Sequence, residues 1–330
     1  MSADLPGPDE LAAAYAETRK ASRVTPLLDA PGLAAQVGAA GLWVKAENLQ
    51  RAGSFKLRGA WWRLACLSDA EKARGVVAYS SGNFAQGLAA AGREMGVPVT
   101  IVMPLDAPEM KRRATEGFGA RVVLSDHGDR PREEVASALA QKISVEQGLV
   151  LLHPFDDPRI VAGQAGAALE AMEQLGGAPD LVLCPVGGGG LMGGVALAVR
   201  AANPSAEIWA VEPVGYDGMG RSLAAGARQK VAGGATLCDA LQATMPGAAP
   251  FAAAQAAGVK GLAVSDADVR QALRVGFETL KLVLEPSGAV ALTAVLAGKV
   301  QVTGRKVLVF ATGGNIPFDR FAEILQAEQA

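Results

Sequence analysis

The amino-acid sequence predicts an α/β protein with mainly parallel sheets flanked by helices. Short runs rich in valine, isoleucine and leucine alternate with alanine-rich stretches of helical length. Strand–helix–strand alternation of this kind implies right-handed crossovers between parallel strands. Half of the 330 residues are hydrophobic and only 19% are charged, which provides enough apolar material for a large core and excludes global disorder.

The predicted elements follow one another in a regular order. Each strand is predicted from a short apolar run: Leu42–Lys45, Val76–Tyr79, Val99–Met103, Arg121–Leu124, Val150–Leu152, Leu181–Cys184, Ile208–Val211 and Val307–Ala311. Helices are predicted from alanine-rich composition or from apolar residues spaced three and four apart: residues 10–21, Ala85–Met95, Glu109–Phe118, Arg132–Gln147 and Phe318–Gln326. Residues 226–260 form the one loose patch.

Composition excludes several classes of protein. The 31 basic and 33 acidic residues nearly cancel, so neither a nucleic-acid partner nor an anionic membrane is expected. The uncharged stretch Leu181–Val199 is nearly long enough to cross a bilayer, but Pro185 and a run of glycines break it. Three widely separated cysteines without CxxC spacing and a polar, acidic N-terminus predict a cytoplasmic protein.

Ligands of such sheets bind where loops leave the carboxyl ends of strands, and four of these loops are unusual. The first, Gly53–Ala60, places Ser54 to cap a helix and Lys56 in its first turn. The helix dipole disfavours a cation there and lowers the pKa of the amine, as a Schiff-base lysine requires. The alternative is a solvated surface lysine.

Two further loops offer hydrogen-bond donors. Ser80-Ser81-Gly82-Asn83-Phe84 follows a strand and presents hydroxyl and amide groups suited to a carboxylate, although an ordinary helix cap is the alternative. Thr312-Gly313-Gly314-Asn315 follows the most apolar strand, so its hydroxyl could bind a buried ligand; a simple turn is the alternative.

The remaining loop, Gly187–Gly190, lets successive backbone N–H groups converge on a phosphate. Gly188, Gly190 and Gly193 also match the dinucleotide-binding fingerprint, and Glu212 follows roughly 20 residues later. From these residues alone, an NAD-dependent oxidoreductase stays open. The sequence contains neither a GxSxG nor an HExxH motif, which argues against common hydrolase chemistry.

Taken together and in order, these loops resemble the β-family (fold-type II) pyridoxal phosphate enzymes, especially the branch of threonine/serine dehydratases and serine racemases. The matching motifs extend over essentially the whole chain: Thr25-Pro26-Leu27, Lys45-x-Glu47-Asn48-Leu49-Gln50, Gly53–Ala60, Ser80–Asn83, Gly187–Gly190, Val211-Glu212-Pro213, Glu285-Pro286-Ser287-Gly288-Ala289 and Thr312–Asn315. The resemblance favours a phosphate role for the glycine loop over the NAD alternative.

The resemblance implies a two-domain fold of the tryptophan synthase β type. Residues 1–60 and 154–330 would form the large cofactor-binding domain and residues 61–153 a small inserted domain, with a homodimer expected. Lys56 would bind the cofactor covalently and remove the substrate's α-proton. The implied cofactor-binding residues are Phe55, Lys56, Asn83, Gly187, Gly188, Gly189, Gly190 and Thr312.

The implied reaction is loss of water from L-threonine or L-serine, followed by hydrolysis to 2-oxobutanoate or pyruvate and ammonia. The implied substrate-binding residues are Ser80, Ser81, Asn83 and Arg132. Phe84 departs from the histidine that is usual in relatives. The alternatives within the fold are a serine racemase and a dehydratase of threo-3-hydroxyaspartate or another bulky β-hydroxy amino acid.

Two acidic residues and one hydroxyl carry further implications of the resemblance. Ser81 matches the second serine of the racemases, where a hydroxyl opposite Lys56 makes reprotonation possible. Glu212 and Asp217 resemble the acidic pair of a divalent-metal site for Mg²⁺ or Ca²⁺, although their spacing is one residue short.

Overall fold

The computed structural model describes residues 5–327, which form ten strands and fifteen α-helices. The strands are β1 (Leu27–Asp29), β2 (Gly41–Ala46), β3 (Val76–Tyr79), β4 (Val99–Pro104), β5 (Arg121–Ser125), β6 (Val150–Leu152), β7 (Leu181–Pro185), β8 (Glu207–Pro213), β9 (Lys260–Val264) and β10 (Lys306–Ala311). The helices are α1 (Pro8–Thr18), α2 (Pro31–Val37), α3 (Lys56–Ala65), α4 (Asp69–Arg74), α5 (Asn83–Met95), α6 (Glu109–Gly117), α7 (Arg132–Gln147), α8 (Pro158–Gln164), α9 (Gly166–Leu175), α10 (Gly190–Ala202), α11 (Gly218–Ala225), α12 (Ala248–Ala256), α13 (Asp266–Glu278), α14 (Pro286–Leu296) and α15 (Phe318–Gln326).

The strands assemble into two sheets. One has six strands in the order β1-β2-β10-β7-β8-β9, and only its β1–β2 pair is antiparallel. The other has four parallel strands in the order β5-β4-β3-β6, all drawn from residues 76–152. The predicted α/β class with mainly parallel sheets and flanking helices is therefore confirmed. Within residues 5–327, no helix combines the length and apolar character needed to cross a bilayer.

All eight predicted strands are present, and each differs from its predicted bounds by at most two residues at an end. The expectation of one loose patch over residues 226–260 is wrong in part, because α12 lies within it and β9 begins there. The sequence of α12, AAPFAAAQA, contains little polar contrast, so it lacks the alternation of apolar and polar faces that predicts a surface helix.

A fully buried group of four charges joins β2, α3 and α9; we call it the scaffold cluster (Lys45, Glu47, Arg58 and Glu170). The Arg58 guanidinium donates to both Glu47 oxygens at 2.8 Å and to Glu170 Oε1 at 2.8 Å. Lys45 Nζ donates to Glu170 Oε1 at 2.6 Å and to the Thr25 carbonyl oxygen at 2.8 Å. The two cations and two anions thus neutralise one another, which buried charges require.

Helix α3 is held at close range by glycines of two neighbouring helices. A β-carbon placed on Gly87 of α5 would lie 2.9 Å from the Leu57 backbone nitrogen. One placed on Gly163 of α8 would lie 2.8 Å from the Arg58 carbonyl oxygen. Any larger side chain at either position would push α3 away, so the backbone around Lys56 is fixed from two sides.

Candidate active site

A cavity of about 910 Å³ lies at the carboxyl ends of β3, β6, β7 and β10. Its walls include Phe55 and Lys56 at the start of α3, Ser80–Phe84, Gly187–Gly190 and Thr312. All four loops that the sequence analysis selected therefore meet in one place. Since β3 and β6 belong to one sheet and β7 and β10 to the other, the cavity lies between the two sheets.

Lys56 is the first residue of α3, and its amine lies in a largely apolar environment. Nζ is 5.2 Å from the centre of the Phe55 ring and 5.7 Å from that of Phe84, and it donates to the Pro154 carbonyl oxygen at 3.2 Å. Burial lowers the pKa of Lys56 to about 8. A lowered pKa agrees with the expectation from sequence. Its cause is burial, however, and not the helix dipole on which that expectation was based.

The expectation that Ser54 caps α3 is wrong. Phe55 occupies the N-cap position and makes no side-chain cap hydrogen bond. The backbone of Ser54 is extended and pairs with Gly313, so the chain is held to the end of β10 and turns into the helix one residue later. Ser54 Oγ is buried and has no hydrogen-bond partner among residues 5–327.

The loop after β3 presents donors to the cavity. Ser80 Oγ accepts a hydrogen bond from the Gly82 N–H at 3.2 Å, and Ser81 lines the same wall. Gly82 has no side chain with which to cap α5, so the first N–H groups of that helix stay available to an anion. The predicted role of this loop in binding a substrate carboxylate stays a prediction.

The glycine loop has the features of a phosphate cradle. Within the described part of the chain, Gly187, Gly188 and Gly189 donate no backbone hydrogen bond, so their N–H groups are available to a ligand. A β-carbon on Gly188 would lie 2.2 Å from the Phe155 ring, and Gly189 has a left-handed φ of 97°. The loop therefore requires glycine, and its donor set fits an anionic phosphate at the start of α10.

Asn83 takes part in a buried polar network that the sequence analysis did not identify. Its Nδ2 donates to Glu285 Oε1 at 2.5 Å, and its Oδ1 accepts from Asn315 Nδ2 at 2.8 Å. A β-carbon on Gly313 would lie 2.2 Å from Glu285 Oε1, so the glycine makes room for the carboxylate. Glu285 is the first residue of the Glu285–Ala289 motif, but the sequence around it does not show that it contacts Asn83.

A second missed feature is a buried lysine on the other wall of the cavity. Lys111 of α6 donates to Asp239 Oδ2 at 2.6 Å, with Lys111 buried and Asp239 half-exposed. Although burial opposes it, the negative charges of Glu285 and Asp239 raise the pKa of Lys111. We call Glu285, Lys111 and Asp239 the cavity cluster. Lys111 looks from sequence like any surface-helix lysine, so no local signal marks it.

Arg132 and Thr312 both line the cavity. The Arg132 guanidinium lies 3.4 Å from Asp106 Oδ2 at the edge of the cavity, and its side chain is partly exposed. Thr312 is buried at the end of β10. The substrate role of Arg132 and the cofactor role of Thr312 stay predictions.

Glu212 and Asp217 lie apart from the cavity, at the end of β8 and the start of α11. Glu212 accepts from the N–H groups of Met219 and Gly220, both at 2.8 Å, and Asp217 accepts from Arg221 at 2.8 Å. Burial, opposed by these N–H groups and reinforced by Asp217, raises the pKa of Glu212 to about 8. Among residues 5–327 no third histidine, cysteine or carboxylate joins them, so a metal site here stays a prediction.

The contacts of Glu212 also bear on the NAD alternative. In a dinucleotide site this residue would have to reach a ribose, but its carboxylate is bound to the first turn of α11 and does not line the cavity. The match of Gly188, Gly190 and Gly193 to the fingerprint is thus not accompanied by its acidic partner.

The fold and the cavity together define an α/β enzyme with a reactive lysine opposite an anion cradle. A model of the family described as pyridoxal-phosphate dependent enzyme matches residues 18–313, and the chain belongs to this family. Its cofactor is accordingly pyridoxal phosphate, and not the NAD of the alternative interpretation. The glycine cradle and the amine of Lys56 fit the phosphate and the carbonyl group of that cofactor.

The chain is similar to several characterised proteins along most of its length. It is 39% identical to an L-threo-3-hydroxyaspartate ammonia-lyase from Pseudomonas sp, over 92% of this chain and 93% of the relative. It is 40% identical to the L-threonine ammonia-lyase of Thermotoga maritima, over 86% and 69%. The structure superimposes on maize serine racemase with a TM-score of 0.90 at 32% identity, covering 98% of this chain and 97% of that one.

Proposed function

We propose that this protein is a pyridoxal phosphate-dependent ammonia-lyase that converts L-threonine and L-serine to 2-oxobutanoate and pyruvate with release of ammonia. The observation that carries the proposal is the position of Lys56, whose amine has a pKa of about 8 and lies in the same cavity as two separate groups of anion donors. Similarity to two ammonia-lyases at 39% and 40% identity supports the reaction class.

Bound pyridoxal phosphate supplies a carbonyl group that combines with amines and a ring that withdraws electrons from the substrate's α-carbon. The N–H groups of Gly187–Gly190 would hold its phosphate, and Thr312, which lines the same cavity, would offer its hydroxyl to the ring nitrogen. Because Thr312 is a neutral hydroxyl, it would not keep that nitrogen protonated as a carboxylate would, and this would favour prompt loss of the substrate's β-hydroxyl. Phe55 packs beside the lysine.

The protein's own side chains orient the substrate and move its proton. Ser80, Ser81 and the start of α5 bind the α-carboxylate, and the Asn83 amide lies beside them. Lys56 Nζ takes the proton from the α-carbon, which its lowered pKa permits near neutral pH. Water lost from the substrate is regained when the released enamine hydrolyses, so the net products are one keto acid and one ammonia.

The proposal is tested by measuring keto-acid release from L-threonine and L-serine with and without added pyridoxal phosphate. Lys56→Ala is expected to lower turnover by about a thousandfold or more, because it removes the base, while leaving the fold intact. Lys142→Ala, at an exposed position on α7, is the matched control and keeps full activity. Cofactor-dependent release by Lys56→Ala at the normal rate would refute the role of Lys56.

One alternative substrate is favoured by a specific comparison. The alignment with this chain covers 93% of the hydroxyaspartate ammonia-lyase but only 69% of the threonine ammonia-lyase. A β-carboxylate would require a cation near the α-carboxylate pocket, and Arg132 lies at that edge of the cavity. Comparing kcat/KM for L-threo-3-hydroxyaspartate and L-threonine decides between them.

Racemisation is the other alternative, and the hydroxyl of Ser81 in the cavity wall favours it. A proton donor on the face opposite Lys56 would return the α-proton with inverted configuration. Ser81→Ala is then expected to abolish formation of D-serine and to change kcat for keto-acid release from L-serine by less than about threefold, with the lost carboxylate contact raising KM. Unchanged D-serine production by the variant would eliminate this role.

We also propose the larger organisation that the family resemblance implies. All four strands of the smaller sheet come from residues 76–152, which supports a small domain over residues 61–153, inserted between 1–60 and 154–330. We propose a cytoplasmic homodimer; the exposed apolar side chains Leu49, Phe277, Val283 and Phe318 are suited to a contact between copies. Light scattering of the purified holoenzyme measures the mass and tests the dimer.

A further inference from the structure

Glu285 is a buried carboxyl group that is only half hydrogen-bonded. Its Oε1 accepts from Asn83, whereas Oε2 is buried and has no partner among the residues that the structure describes. Such a group opposes folding, because a desolvated oxygen without a donor is unfavourable. It stands at the first residue before α14 and in the cavity wall, which is where groups that serve function at the expense of stability are found.

The orientation of the Asn83 amide follows from its neighbours. Asn315 Nδ2 donates to the carbonyl oxygen of Ala52 at 2.9 Å, and a backbone carbonyl can only accept. Asn315 must therefore present Nδ2 to Asn83 as well, which identifies the facing Asn83 atom as the oxygen. Asn83 Nδ2 then faces Glu285, and a flipped amide would bring two acceptors together on one side and two donors on the other.

One N–H of Asn83 is left after these contacts. An amide nitrogen carries two hydrogens, and Glu285 Oε1 takes one of them. The other belongs to a side chain in the cavity wall and is the only donor that the Asn83 side chain can offer a ligand.

We propose that Glu285 is a positioning residue: its carboxyl group holds the Asn83 amide so that the remaining N–H points at the bound cofactor. The inference rests on the proposed function, in which Asn83 is one of the cofactor-binding residues. Glu285 acts through Asn83, and Asn315 completes the hold from the opposite side. Gly313 makes the arrangement possible, because any side chain at that position would displace the carboxylate.

The experiment is a double-mutant cycle with cofactor affinity as the readout. Cofactor-free protein is titrated with pyridoxal phosphate, and Kd and the absorption spectrum are recorded for Asn83→Ala, Glu285→Ala and the double variant. Each single variant is expected to raise Kd on the order of tenfold, the effect of one hydrogen bond. The double variant is expected to be no weaker than Asn83→Ala, because the two residues act as one unit.

Two conservative variants keep the test independent of whether Glu285→Ala folds. Glu285→Gln retains an oxygen that can accept from Asn83, and is expected to bind within about threefold of the unaltered protein. Glu285→Asp keeps the charge, but its side chain is one methylene shorter and its oxygen no longer reaches the Asn83 amide. This variant is expected to bind pyridoxal phosphate as weakly as Glu285→Ala. Thr293→Val alters a buried hydroxyl on the same helix away from the cavity, and is the control with unchanged Kd.

The outcomes separate this inference from the proposed function. Additive losses in the double variant, or Glu285→Asp binding better than Glu285→Gln, would overturn the positioning role. Normal affinity and spectrum in Asn83→Ala would overturn both the place of Asn83 and the inference. Non-additive losses in a protein that releases no keto acid would support the inference and refute the proposed reaction.

Discussion

The scaffold cluster and the cavity cluster are both buried groups of charges, but they differ in how completely they are hydrogen-bonded. In the scaffold cluster, Arg58 donates to both Glu47 and Glu170 at 2.8 Å, and Lys45 donates to Glu170 at 2.6 Å. In the cavity cluster, Glu285 retains a bare oxygen and Lys111 relies on a half-exposed aspartate. The first arrangement stabilises one structure, whereas the second leaves charge and hydrogen-bonding capacity available to a ligand.

The pKa values reflect the same difference. Arg58 and Lys45 hold the pKa of Glu170 below its usual range in spite of its burial. Burial raises the pKa of Glu285 to about 7, because Lys111 and the Asn83 amide only partly offset it and Asp239 adds to it. A buried carboxyl with complete partners stays ionised, and one with incomplete partners titrates near neutrality.

The largest expected effect is on the scaffold cluster. Arg58→Met removes the cation that Glu47 and Glu170 share, and leaves Lys45 hydrogen-bonded to only one of the two carboxylates, that of Glu170. The free energy of unfolding is expected to fall by about 3–5 kcal/mol, as when one partner of a buried ion pair is removed. Urea denaturation measures this free energy. Arg320→Met, at an exposed position, is the control and is expected to lower the free energy of unfolding by less than about 1 kcal/mol. Equal losses in the two variants would break the comparison.

A smaller effect is expected when pH is varied around Glu285. Its pKa rises from 4.5 in the unfolded chain to about 7, so between these values the folded protein holds a proton that the unfolded chain has lost. As pH rises through this window, ionisation of Glu285 therefore lowers the free energy of unfolding, by about 3 kcal/mol in total.

Glu285→Gln removes this titration. Between pH 5 and pH 8, the free energy of unfolding of the cofactor-free variant is expected to fall less than that of the unaltered protein. The difference between the two slopes, measured by urea denaturation at several pH values, isolates the carboxyl group. Parallel slopes would show that Glu285 ionises normally and that its burial has no such consequence.

The smallest expected effect is that of Lys111→Met on stability. Asp239 is half-exposed, so water replaces its lost partner, and the methionine side chain fills the space of the lysine stem. The free energy of unfolding is expected to change by less than about 1 kcal/mol, compared with the loss of about 3–5 kcal/mol expected for Arg58→Met. The same variant removes the cation that lowers the pKa of Glu285, which should therefore titrate at higher pH. A loss as large as that of Arg58→Met would show that both clusters serve the fold.

The fold could be predicted largely from sequence because its strands are dense in β-branched and other apolar residues. Val76–Tyr79 and Val150–Leu152 have the bounds expected from composition alone. The sequence does not predict β1 and β9, because β1 (LLD) contains no β-branched residue and β9 carries Gly261 within it. Neither strand therefore contains the continuous run of β-branched and apolar residues that predicts a buried strand.

The candidate site was predictable only where its chemistry follows local pattern. Lys56 and the glycine loop stand out because their neighbours in sequence form the motif. Glu285 and Lys111 do not, because their partners lie 202 and 128 residues away and are met only through the fold. The sequence also misassigned Ser54, since its pairing with Gly313 is a contact between distant segments.

The close packing of α3 against Gly87 and Gly163 has a consequence for how this enzyme can diversify. The backbone that carries Lys56 is fixed from behind by helices, and the cavity walls around Arg132 and Ser80 take no part in those two contacts. Substitutions in these walls can therefore alter which amino acid is accepted while the reactive amine keeps its place. Substrate selectivity can therefore change through the cavity walls without a change in the position of the catalytic lysine.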